Sequence, residues 1–142
     1  MILYLDTSSL LKLYVQEPGT EEVQAGVEVA DVVATSTIAY PEAHAALARR
    51  HREGALTRAE FRTCLEQFRD TWPRLLAVLP SLPICIRAGA LAVKHGLRGM
   101  DAIHLASYAE LVGRGDTLEF LSHDARLMRA AAGEGRGRRR SP

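Results

Sequence analysis

Ile2-Leu3-Tyr4-Leu5-Asp6-Thr7-Ser8-Ser9-Leu10-Leu11 sets four apolar residues against an aspartate, then three hydroxyl residues, then leucines. An apolar run of this length reads as a short strand covered on both faces. Thr7, Ser8 and Ser9 can cap the amide groups that a helix leaves free in its first turn. Leu10, Leu11, Leu13 and Tyr14 then recur at helical spacing until Pro18-Gly19 ends the run. Strand, polar break and helix together make the first step of a parallel α/β unit.

The pattern repeats along the chain. Residues 20–30 read as a second helix and Val32 to Ser36 as a second buried strand. An alanine- and leucine-rich helix runs from Tyr40 to about Arg52, closed by Gly54. Thr57 with Glu60 three residues later forms a capping box for a helix carrying Phe61, Leu65 and Phe68. Leu75 to Leu79 suggest a third strand, residues 86–95 a helix ended by Gly96, and Gly99-Met100-Asp101 the start of another. Leu118 to Ser122 read as a fourth strand, and Asp124 opens a last helix to about Ala132. Strands alternating with helices predict an α/β/α sandwich around a parallel sheet. No internal repeat or linker divides it. Residues 1–132 are expected to be the domain, and the glycine- and arginine-rich residues 133–142 a disordered tail.

The 142 residues carry a net charge of +1, so no global field marks a polyanion binder, and any such binding must be local. Cys64 and Cys85 form no zinc-ligand spacing and are expected as reduced thiols. The apolar start has no basic n-region and is too short to span a bilayer, which predicts a cytoplasmic protein.

Ligands of parallel α/β folds collect at the carboxyl ends of strands. Asp6 directly follows the first strand, Glu42 lies in the helix turn after the second, Asp101 begins the helix leading to the fourth, and Asp124 follows the fourth. Singly, each is as readily a helix cap or a dipole partner. Together they would repel one another unless protonated or neutralised. Oxygen ligands with no His or Cys partner point to magnesium or manganese.

The same segments resemble a known family. Tyr4 to Tyr14, Glu17-Pro18-Gly19, Ser36 to Glu42 with Ala45-Ala46-Leu47, Arg98 to Ala106, and Phe120 to Leu127 follow, in order, the motifs of PIN-domain ribonucleases of the VapC toxin type. The resemblance implies a PIN-like three-layer sandwich of four or five strands. It also implies a metal-dependent endoribonuclease acting as the toxin of a toxin–antitoxin pair. Its catalytic and metal-binding acids would be Asp6, Glu42, Asp101 and Asp124, holding Mg2+ or Mn2+. Asp6 and Asp101 would be the principal pair, with Ser8 and Ser122 as hydrogen-bonding support. Implied partners are an RNA substrate, a VapB-like antitoxin and a second copy of the chain, with no membrane. One departure is visible: members usually finish with a short apolar fifth strand, and none can be read after Ala132.

Other residues have two readings. His104, one turn beyond Asp101, either bonds the acid cluster or is a satisfied packing position, and packing is the expected outcome. Arg49, Arg50, His51 and Arg52 are expected as a solvated helix end, with RNA backbone contact the alternative. The arginines of residues 136–140 carry the same choice. Tyr14, Phe61, Phe68 and Trp72 are expected in the core, some lining an antitoxin groove. A dehalogenase-type phosphatase would need a second aspartate where Ser8 stands, and Gly113-Arg114-Gly115 completes no phosphate loop. An inactive PIN-like binding module and a housekeeping nuclease of RNA maturation remain as alternatives.

Overall fold

The computed structural model describes residues 1–114 and 117–136. Gly115 of the Gly113–Gly115 run, and residues 137–142 of the expected tail, lie outside the described residues. The elements run β1 (Ile2–Leu5), α1 (Thr7–Leu11), α2 (Thr20–Val29), β2 (Val32–Ser36), α3 (Ala39–Arg52), α4 (Arg58–Thr71), a 3-10 turn (Trp72–Arg74), β3 (Leu76–Val78), α5 (Leu82–His95), α6 (Gly99–Leu111), β4 (Leu118–Leu121) and α7 (Ala125–Arg136). All pairings are parallel and the sheet order is β3-β2-β1-β4.

Because successive side chains of a strand point to opposite faces, β1 divides its residues between two cores. Ile2 and Tyr4 pack with α5, α6, α7 and Phe120. Leu3 and Leu5 pack with α1, α2, α3 and α4. Tyr4 and Leu5 have no exposed surface, and full burial of such side chains stabilises by about 1.5–3 kcal/mol each. The predicted three-layer sandwich is therefore the observed architecture. Among the described residues the sheet has four strands.

The capping box at Thr57 and Glu60 is present as read. Three boundaries differ from expectation. Helix α1 closes at Leu11, short of the Leu13 and Tyr14 read into it. Helix α5, expected from residue 86, starts at Leu82 because Pro83 sits in the first turn, where a missing N–H costs nothing. Helix α7 runs on through Gly133 to Arg136 because Glu134 is held by Lys94 at 2.7 Å and His95 at 3.0 Å. Gly135 also lets the helix pass close to the Tyr108 hydroxyl, which would lie 3.0 Å from a Cβ built there.

Gly19 explains part of the Glu17-Pro18-Gly19 run. It precedes α2 at φ +91°, and a Cβ there would meet the His123 ring, Nε2 at 2.2 Å. His123 cannot swing away freely, since Nδ1 lies 3.2 Å from Ser9 Oγ and Nε2 lies 3.2 Å from Glu22. Gly19→Ala is expected to cost about 1–3 kcal/mol from backbone strain alone. In chemical denaturation, Gly19→Ala/His123→Ala should destabilise less than the sum of the two single changes. Strict additivity would show that the ring contact is not felt.

Candidate active site

Strand β1 lies between β2 and β4, and the chain moves from the β2 side to the β4 side only after β3. That reversal opens a crevice at the carboxyl ends of the strands, the place where open parallel sheets bind ligands. Asp6, Glu42, Asp101 and Asp124 all stand at this end, each delivered by the turn or helix start its sequence position predicted.

Asp6 is the N-cap of α1, the structural role that its place after a strand left open beside its hydroxyl neighbours. Its Oδ1 accepts from the Ser9 amide at 2.9 Å, and its Oδ2 accepts from the Ser122 hydroxyl at 2.6 Å. Ser8 Oγ lies 3.2 Å from both oxygens. Ser122 in turn accepts from the Asp124 amide at 3.1 Å, which ties the end of β4 to the end of β1. Ser8 and Ser122 thus stand beside the acids as the resemblance implied.

Glu42 is held from beneath. Thr7 Oγ1 donates to its Oε1 at 2.6 Å, and His104 Nε2 lies 3.0 Å from the same oxygen. His104 Nδ1 is 3.1 Å from the Tyr4 hydroxyl. Burial pushes the Tyr4 pKa well up, so the phenol keeps its proton and can donate to Nδ1. Because the Glu42 carboxylate only accepts, Nε2 carries the proton that faces it. His104 is buried, but packing is not its whole role. The expectation that favoured packing alone gives way to a hydrogen-bonding role toward an acid.

Burial opposes the Glu42 carboxylate, and the bonds from His104 and Thr7 more than offset it, so its pKa falls below the ordinary range. Asp101 behaves oppositely. Burial raises its pKa first, the charges of Asp124 and Asp6 raise it further, and His104 and Arg98 offset only part. No hydrogen bond reaches its carboxylate among the described residues.

Asp6, Glu42 and Asp101 line one cleft of about 350 Å³ together with Arg49, Arg50 and Arg98. Asp124 does not line it. It meets Asp101 in an adjoining chamber, and its Oδ1 caps α7 through the Arg126 and Leu127 amides at 2.8 and 3.1 Å. Among the described residues no three of these side chains form a ready-made ligand set for a metal ion. The donor chemistry nevertheless fits a hard cation: Asp6, Glu42 and Asp101 present carboxylate oxygens to one cleft.

The arginines of α3 are not simply a solvated helix end. Arg50 pairs with Glu17 at 3.0 Å, and Lys12 reaches the same carboxylate at 3.1 Å. Tyr4 and Arg98 were not singled out in the sequence. Tyr4 hides in an apolar run, and Arg98 could have been noticed only as a cation directly before the Asp101 turn. The aromatic residues of α4 lie in or against the second core, as expected.

A family model described as PIN domain matches residues 3–132. The chain is 37% identical over 106 residues to Ribonuclease VapC45 of Mycobacterium tuberculosis, covering 75% of this chain and 74% of that protein. It is 31% identical over 134 residues to Ribonuclease VapC47 of the same organism, covering 89% and 88%. It is 30% identical over 119 residues to Ribonuclease VapC3 of Pyrobaculum aerophilum, covering 84% and 90%.

Since the folded protein disfavours charged Asp101, a penalty appears as pH rises through the ordinary aspartate range and is absent below it. Asp101→Asn is therefore expected to raise Tm at neutral pH, with the two proteins converging below about pH 3, where both side chains are neutral. A lower Tm for the variant at pH 7 would show that the carboxylate is stabilising.

Proposed function

The chain belongs to the PIN domain family, and on that footing we propose that it is an endoribonuclease that hydrolyses RNA phosphodiester bonds with magnesium or manganese, as the toxin of a toxin–antitoxin pair. The observation that carries this reading is the convergence of Asp6, Glu42 and Asp101 in one cleft at the switch point of the sheet. Relatives named as VapC ribonucleases support the choice of RNA and of a VapB-like antitoxin as partner.

Asp6 and Asp101 would hold the principal cation, with Glu42 and Asp124 completing or bridging the site. Such a cation, when bound, makes water a stronger nucleophile near neutral pH and draws charge from phosphate oxygens. The protein's own part is orientation. The Ser9 amide, Ser122 and Ser8 orient Asp6 by donating to its two oxygens. Thr7 and His104 fix Glu42 through Oε1, leaving Oε2 as its outward donor. Arg98, beside Asp101, offers guanidinium donors to a phosphate that the carboxylates alone would repel.

Purified protein free of antitoxin is expected to cut a mixed tRNA and rRNA pool with magnesium or manganese and to stop with chelator. Asp6→Asn and Asp101→Asn should reduce cutting to background while circular dichroism is unchanged. Full activity in either variant would overturn the assignment. No cutting by folded wild-type protein would favour an inactive PIN-like module.

Pairing with a second copy belongs to the same proposal. Strand β3 is a sheet edge, and the exposed Leu76, Leu79, Leu82, Ile86 and Val93 follow it onto α5. Leu82, Ile86 and Val93 share one helical face, an apolar row that a symmetric partner would cover. Ile86→Glu should convert a dimer to a monomer in analytical ultracentrifugation. A dimer unaffected by that charge would place the interface elsewhere. Among the described residues no helix is long and apolar enough to cross a membrane.

A further inference from the structure

The cleft that holds Asp6 and Glu42 does not end at Asp101. Asp101 and Arg98 also line a second chamber of about 370 Å³, whose other walls come from the α5–α6 turn and the start of α7. The two cavities therefore meet across the same carboxylate and the same guanidinium.

Their charges are arranged differently. In the first cavity Arg50 pairs with Glu17, while Arg49 joins Arg98 as a cation without an ion pair among the described residues. The second carries Arg98, Arg126 and Arg129, and none of these makes an ion pair within the described residues. Arg126 gives one guanidinium nitrogen, Nη1, to the Gly96 carbonyl at 2.9 Å, which fixes the group at the chamber wall and leaves its other donors available. The α7 amides at the same wall are not free to bind an anion, since Asp124 caps them. Side-chain cations are what this chamber offers a ligand, and the nearby carboxylates exclude a purely anionic small molecule that lacks a chain to anchor it elsewhere.

We propose that this chamber is the subsite for the RNA phosphate next to the scissile one, gripped by Arg126 and Arg129 with Arg98 at the junction of the two cavities. The inference rests on the ribonuclease reading and extends it. A strand laid through the first cavity must continue past Asp101, and its next phosphate meets the arginine wall. Contacts of this kind fix register and contribute affinity without reading base identity. Their signature is a salt dependence, because each neutralised phosphate releases counter-ions in proportion.

The test uses the full chain carrying Asp6→Asn, which silences cleavage, and a short fluorescent single-stranded RNA titrated by anisotropy at several salt concentrations. Adding Arg126→Gln/Arg129→Gln should lower the slope of log affinity against log salt by about 1.4, the value for two phosphate contacts on a single strand. Affinity near 0.1 M salt should fall roughly 10- to 30-fold, equally for RNAs of different sequence. The control Arg58→Gln/Arg62→Gln removes the same charge from the exposed face of α4, on the far side of the sheet, and should leave the slope unchanged. An unchanged slope in the Arg126/Arg129 variant, or an equal drop in the control, overturns the subsite while leaving the nuclease reading intact. No salt-dependent RNA binding by the Asp6→Asn parent overturns both.

Discussion

Negative charge concentrated at one end of a parallel sheet has to be held there, and the protein does this with a different device at each acid. Asp6 is surrounded by donors from Ser8, the Ser9 amide and Ser122. Glu42 rests on Thr7 and His104, and Asp124 is absorbed into the cap of α7. Asp101 receives no such donor among the described residues, and burial first, with the charges of Asp124 and Asp6 after it, raises its pKa.

The donors reach the acids because of topology. Placing β1 between β2 and β4 brings Ser122 beside Asp6 although 116 residues separate them in sequence. The same arrangement lets α6 cross beneath the crevice, so that one turn of helix carries Asp101 into the cleft and His104 under Glu42. Tyr4 belongs to both worlds. Its ring stacks on Phe120 in the core, with centroids 5.4 Å apart, and its hydroxyl fixes the histidine that steadies an acid. A residue that looks like ordinary core packing is therefore also part of the site's support.

The C-terminal region shows how tertiary contacts override local signals. Two glycines within four residues read as the end of a helix, yet α7 continues past both. Glu134 is anchored by Lys94 and His95 at the end of α5, with Arg87 at 3.9 Å. Hydrogen bonds from Lys94 and His95 hold its carboxyl pKa below the ordinary range.

The sequence by itself determined the layers, the four strands and the placement of four acids near strand ends, because each rests on a local rule: apolar runs, helical spacing, caps and polar residues at strand ends. It also carried the motifs whose resemblance pointed to the PIN family. What it left open depended on contacts distant in the chain. Asp6, Thr7, Ser8 and Ser9 could each be read as the cap of α1, and only the direction in which the Asp6 carboxylate turns decides among them. His104 could be weighed only as packing or bonding until Tyr4, Thr7 and Glu42 were seen around it. Arg50 read as a solvated helix end until Glu17 was placed against it. Local periodicity encodes which face of an element is buried, but the partner of a buried polar group is chosen by the fold, and tertiary structure alone decides it.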